Sequence, residues 1–87
     1  MNILTQAKLM MDVIGDLSNF NPRLVIASTG SCYIHLTGSK VRCIRIANHK
    51  GHKESKCYWQ LRTDVCSSRK GMVRIYNDAA RLIADLI

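Results

Sequence analysis

The stretch from Asn48 to Leu61, NHKGHKESKCYWQL, brings His49, His52, Lys50, Lys53, Lys56 and Cys57 within ten residues before the chain turns aromatic and apolar. Imidazole and thiolate groups ligate metals or pair as base and nucleophile, while ammonium groups hold phosphates and carboxylates. Three chemistries therefore compete for one short segment.

A zinc site wants four ligands, usually arranged as two close pairs. His49 and His52 are tolerably spaced, and Cys57 follows. Cys43 and Cys66 alone are near enough to complete the set, and neither forms a close pair with another ligand. No metal and no cofactor are expected. The spare reading has Cys43 and Cys57 facing a core while the histidines stay in solvent. Catalysis fares no better. Cys57 near His52 is the visible cysteine–histidine neighbourhood, and no oxyanion-type glycine motif accompanies it. Asn48–His49 lacks the carboxylates that a metal-dependent nuclease needs, because Glu54 and Asp64 are the only acids in the basic half of the chain. The protein is expected not to be an enzyme.

The third chemistry is anion binding. Between Lys40 and Arg74 lie ten Lys or Arg residues against two acids, so this segment carries +8 of a net +7, and the rest of the chain carries −1. Such a field attracts phosphates or an acidic protein surface. On this reading the histidine–lysine stretch is a long hairpin connection, with Gly51 permitting the bend and the lysines spaced by threes. Its plainer role would be to keep edge strands from aggregating.

Stepping along the chain gives the elements that must position these groups. The first twenty residues carry apolar positions at Ile3, Ala7, Met10, Ile14 and Leu17, widened by Leu4 and Met11, which is a helical stripe. Ser18, Asn19, Asn21 and Pro22 stop it. Leu24 to Ala27 reads as a short lead-in strand. SCYIHLT alternates, with Cys32, Ile34 and Leu36 on one face and Tyr33 and His35 on the other. TGSK supplies a tight turn at Gly38. KVRCIRIAN is β-rich, but its alternation slips near Cys43, which calls for a bulge or for burial on both faces. CYWQLRT sends Cys57, Trp59 and Leu61 one way and Tyr58, Gln60 and Arg62 the other. After CSSRKG a second helical stripe runs through Ile75, Ala79, Leu82, Ile83 and Leu86, with Asn77 or a neighbour as its cap.

The expected fold is α+β: a single domain, residues 1–87, with a three- or four-stranded antiparallel meander and the N- and C-terminal helices packed on one face. At this length the chain buries only about 60–65% of its unfolded surface, so one thin core is all it can build. The helices are expected on the sheet face carrying Ile34, Leu36, Trp59 and Leu61. The other face would stay open and display Tyr33, His35, Tyr58, Gln60, Arg62 and, depending on the bulge, Lys40 and Arg42. Neither a membrane span nor a secretion signal is expected. The four cysteines, Cys32, Cys43, Cys57 and Cys66, read as reduced, buried thiols.

The predicted contacts to a nucleic acid or acidic partner are Arg42, Arg45, Lys50, Lys53, Lys56 and Arg62, with Tyr33 and Tyr58 as stacking platforms. A homodimer through the open face or a free edge strand stays open as an alternative use of the same surface.

The pattern SCYIHL, then KVRCIRIANH, then CYWQLRTD resembles short phage and prophage open reading frames, matching at Ser31, Tyr33, Arg42, Arg45, Ile46, Asn48, His49, Tyr58, Leu61, Arg62 and Asp64. It covers about two fifths of the chain and neither helix. The resemblance implies a small cytoplasmic protein of a mobile element, of a kind often used as a host-defence inhibitor such as an anti-CRISPR protein. Many such inhibitors are acidic and imitate DNA, whereas this chain is basic. The implied partner is a host nucleoprotein complex of the CRISPR effector type, or its nucleic acid. The alternatives are a small RNA- or DNA-binding accessory protein and a protein–protein adaptor or antitoxin-like partner.

Overall fold

A computed structural model of the chain describes residues 2–28, 30–47, 58–62, 74–76 and 78–87. In chain order the elements are α1 (Ile3–Leu17), β1 (Arg23–Ile26), β2 (Cys32–His35), β3 (Cys43–Ala47), β4 (Tyr58–Arg62), β5 (Arg74–Tyr76) and α2 (Ala79–Leu86).

α1 begins where Asn2 Oδ1 accepts the backbone N–H of Thr5 at 2.7 Å, satisfying one of the donors that a helix start leaves over. It ends at Ser18, whose hydroxyl donates to the Ile14 carbonyl at 2.7 Å and accepts the Phe20 N–H at 3.2 Å. Asn21, at φ 48, then turns the chain toward Pro22 and β1. Ala7, Met10 and Ile14 are buried, as the apolar stripe requires, with Ile3 and Met11 packed at its flank. Leu17 departs from that stripe and is 59% exposed, so the buried face ends at Ile14, one turn earlier.

β1, β2 and β3 form a three-stranded antiparallel sheet with a helix at each end of the chain, an α+β arrangement. Ile34 stands opposite Ile44, and Cys32 opposite Ile46. All four side chains are buried against α1, which packs on β1, β2 and β3. Each fully buried isoleucine contributes about 1.5–3 kcal/mol through apolar area removed from water. α2 packs on β5 and on α1, and Leu82 and Leu86 join the same core cluster.

The expected antiparallel meander is present as β1-β2-β3, and the sheet continues beyond it with a change of strand direction. β3 pairs β4 in parallel, and β4 pairs β5 in parallel, giving a five-stranded mixed sheet in the order β1-β2-β3-β4-β5. β3 and β4 are therefore not the two arms of a hairpin, and residues 48–57, read above as a hairpin connection, lie outside the described residues. The physical reason is that alternation has the same period in parallel and antiparallel strands. Connection length is the better cue: hairpins use about 2–5 residues, whereas a parallel crossover needs about ten or more.

A second correction concerns Ile75. It lies in β5, paired with Gln60, and is not part of the C-terminal helical stripe. That helix starts after Asp78, whose Oδ1 accepts the Ala80 N–H at 3.0 Å. Four-residue spacing between Ile75 and Ala79 imitates helical periodicity across what is a strand-to-helix junction.

The slip in alternation near Cys43 needs no bulge. β3 begins at Cys43, and Ile44, Arg45 and Ile46 are all fully buried, so its centre is covered on both faces. Among the described residues, no helix is long and apolar enough to cross a membrane.

Candidate functional site

The turn joining β2 to β3 is fixed from below by two apolar anchors, Leu36 and Val41, both buried. The Leu36 N–H donates to the Arg42 carbonyl at 2.9 Å and closes the loop at its base. Thr37 N–H donates to the Phe20 carbonyl at 2.7 Å, which ties the loop to the segment following α1. Ser39 Oγ accepts the Val41 N–H at 3.0 Å. Gly38 sits at φ +81, a conformation that side chains rarely adopt, so glycine is required at this bend. With its apolar ends pinned inward, the loop presents Thr37 and Gly38 to solvent and Ser39 half-buried.

An open cleft of about 490 Å³ lies between this loop and the start of β1. Asn21 and Arg23 line one wall, Thr37, Gly38, Ser39 and Arg42 the other, and His35 and Leu36 complete it. The pairing of β1 with β2 sets Arg23 directly opposite His35. Arg42 immediately precedes Cys43, the β3 partner of His35. Three separate strands or strand ends thus bring two arginines and a histidine to the lining of one cleft, and no acidic residue lines it among the described residues.

Among the described residues, no hydrogen bond or ion pair ties up the side chain of Arg23, Arg42 or His35. Both arginines are exposed and His35 is half-buried. A guanidinium offers five N–H donors in a rigid fork suited to phosphate or carboxylate oxygens. The described lining combines arginine side chains, neutral hydroxyls and open main chain at Gly38, the groups that recognise anions.

The predicted contacts separate sharply on this framework. Arg42 belongs to the cleft. Tyr33 is half-buried on the sheet face opposite the helices and does not line it. Arg45 must be removed from the surface set, since its side chain is 0% exposed. It occupies the middle strand of the five, in register with Tyr33 on one side and Gln60 on the other. The expectation of an open second sheet face fails at this point. Tyr58 and Arg62 lie in β4 as register partners of Cys43 and Ala47. Lys50, Lys53 and Lys56, together with His49, His52, Cys57 and Cys66, lie outside the described residues.

Arg23 was not among the predicted contacts. A lone arginine after proline has no local signature, and only the register brings it beside His35. The same register makes His35 and Cys43 strand partners, a cysteine–histidine juxtaposition. Burial pushes the Cys43 thiol from 9.0 up to about 11, and that of Cys32 upward too, so neither is poised as a thiolate at neutral pH. Both are free thiols. Among the described residues, no group of three or more metal-ligating side chains gathers.

A second groove, about 370 Å³, runs between α1 and α2 and is lined by Leu9, Met10, Val13, Ala79 and Ile83 with Gln6. Among the described residues its lining is apolar apart from Gln6 and carries no charged group. No family model, curated protein or solved structure matches this chain.

Proposed function

We propose that this chain is a non-enzymatic binding protein that seats an anionic partner on the cleft between Arg23 and the β2–β3 turn. The observation that carries this reading is the pair of arginines, Arg23 and Arg42, lining one cleft with no acidic residue among its described lining, in a chain of net charge +7. Surface charge of this kind is costly to gather and useful for attracting phosphates. The binding surface is the turn end of the antiparallel sheet.

In its biological setting the protein acts as an inhibitor encoded by a phage or mobile element, of the anti-CRISPR type, working in the host cytoplasm. It occupies a host nucleoprotein effector without chemistry. The resemblance of the strand segments supports the setting, and the basic cleft supports a partner that exposes phosphate. The alternative, a small RNA- or DNA-binding accessory protein, would use the same cleft on free nucleic acid.

A pull-down from host lysate, with and without nuclease treatment, tests the reading. Capture of a ribonucleoprotein supports inhibition of a host machine. Capture of bulk nucleic acid alone supports the accessory role. Failure to retain either, with an uncharged or basic partner recovered instead, would refute both.

A further inference from the structure

We infer that the cleft is a phosphate-monoester site, taking the terminal phosphate of a nucleotide or of a nucleic-acid strand end. This deepens the reading above and rests on it for the class of partner. The argument is one of charge and donor matching. A phosphate monoester carries close to two negative charges at neutral pH and presents three terminal oxygens. A backbone diester carries one charge and two such oxygens. Arg23 and Arg42 bring two guanidinium forks to one cleft, with His35 between their strands as a further donor. Two fixed positive charges on a single group neutralise a monoester and over-neutralise a diester.

The surroundings fit the same ligand. The Thr37 hydroxyl is tied by no hydrogen bond among the described residues, and Ser39 stands beside it, so both reach the remaining oxygens as donors. At Gly38 nothing lies within 4 Å of where a Cβ would stand, so a ligand can approach the main chain closely. At about 490 Å³ the cleft falls within the usual range of small-ligand sites, roughly 300–1,000 Å³. That leaves room for the sugar attached to the phosphate.

The test compares one short oligothymidylate in three forms, 5′-phosphorylated, 3′-phosphorylated and unphosphorylated, with adenosine monophosphate and adenosine as the mononucleotide arm. Calorimetric or fluorescence titration should show a phosphorylated form binding about tenfold tighter than its unphosphorylated counterpart, as charge-assisted hydrogen bonds imply. Preference in the oligonucleotide arm assigns a strand end; preference in the mononucleotide arm assigns a nucleotide. The Arg23→Gln/Arg42→Gln double variant, checked for fold by circular dichroism, should lose the preference, and Arg42→Lys should keep part of it. Equal saturable binding of all forms overturns the monoester assignment and leaves the anion-binding reading standing. Binding of none overturns both. A phosphopeptide that outcompetes every nucleotide overturns the nucleotide source.

Discussion

Arg23 and His35 stand directly opposite each other in the antiparallel register of β1 and β2. Directly opposite residues of such a pair have Cβ atoms roughly 4.5–5.5 Å apart. The edge strand thereby sets Arg23 beside His35 near the turn that leads to Arg42. The relationship brings residues nineteen positions apart in sequence (Arg23 to Arg42) to one cleft, the proposed anion site.

If that site seats phosphate, each arginine should account for about one released counterion. Arg23→Ala and Arg42→Ala should each weaken oligonucleotide binding and lower the salt slope by about one. Both side chains are exposed, so stability should move by no more than about 0.5 kcal/mol. Anisotropy titrations at several salt concentrations, alongside urea melts, check both halves. An unchanged slope in the double variant would remove these residues from the interface.

Arg45 should behave in the opposite way. Its side chain is wholly buried in the middle strand, so Arg45→Ala should cost stability, about 2 kcal/mol or more, through lost packing and a residual cavity. Affinity per folded molecule should hold. Chemical denaturation with a parallel binding titration separates the two, and an affinity loss at full stability would return Arg45 to the surface.

Cys43 yields a pH prediction. Its thiol is raised by burial from 9.0 to about 11, so the folded state favours the protonated form. The stabilisation is fully present below pH 9.0 and is lost as pH climbs to about 11, because the unfolded chain releases its proton first. In a Cys57→Ser/Cys66→Ser background, alkylation of Cys43 should accelerate only toward that upper value. Rapid alkylation near neutral pH would contradict the burial seen here.

Polar contacts add to the buried Leu82 and Leu86 in holding the C-terminal helix. Tyr76 donates its hydroxyl to Asp85 Oδ2 at 2.8 Å, linking β5 to α2, and Asp78 caps the helix start. Tyr76→Phe should cost about 0.5–1.5 kcal/mol and Asp78→Ala about 1 kcal/mol. Thermal melts of each variant provide the check, with neither change altering oligonucleotide affinity.

The fold was legible where local pattern and burial coincide. The spacing of Ala7, Met10 and Ile14 read as a helix face, and the alternation of Cys32 to His35 read as a half-buried strand. Strand direction was not legible from alternation, which is why β3 and β4 were expected as a hairpin and are parallel. Arg45 misled because charge ordinarily marks the surface, whereas its side chain in the middle strand is fully buried. Of the site, Arg42 was visible within its basic strand. Arg23 was not, since its role depends on pairing with a strand about ten residues later.

The most direct test follows backbone amide signals of the nitrogen-15-labelled chain while a short phosphorylated oligonucleotide is titrated in. The account predicts saturable shifts concentrated at residues 21–23 and 35–42, reversed by added salt. Shifts confined to the apolar groove between α1 and α2, or none at any oligonucleotide concentration, would contradict it.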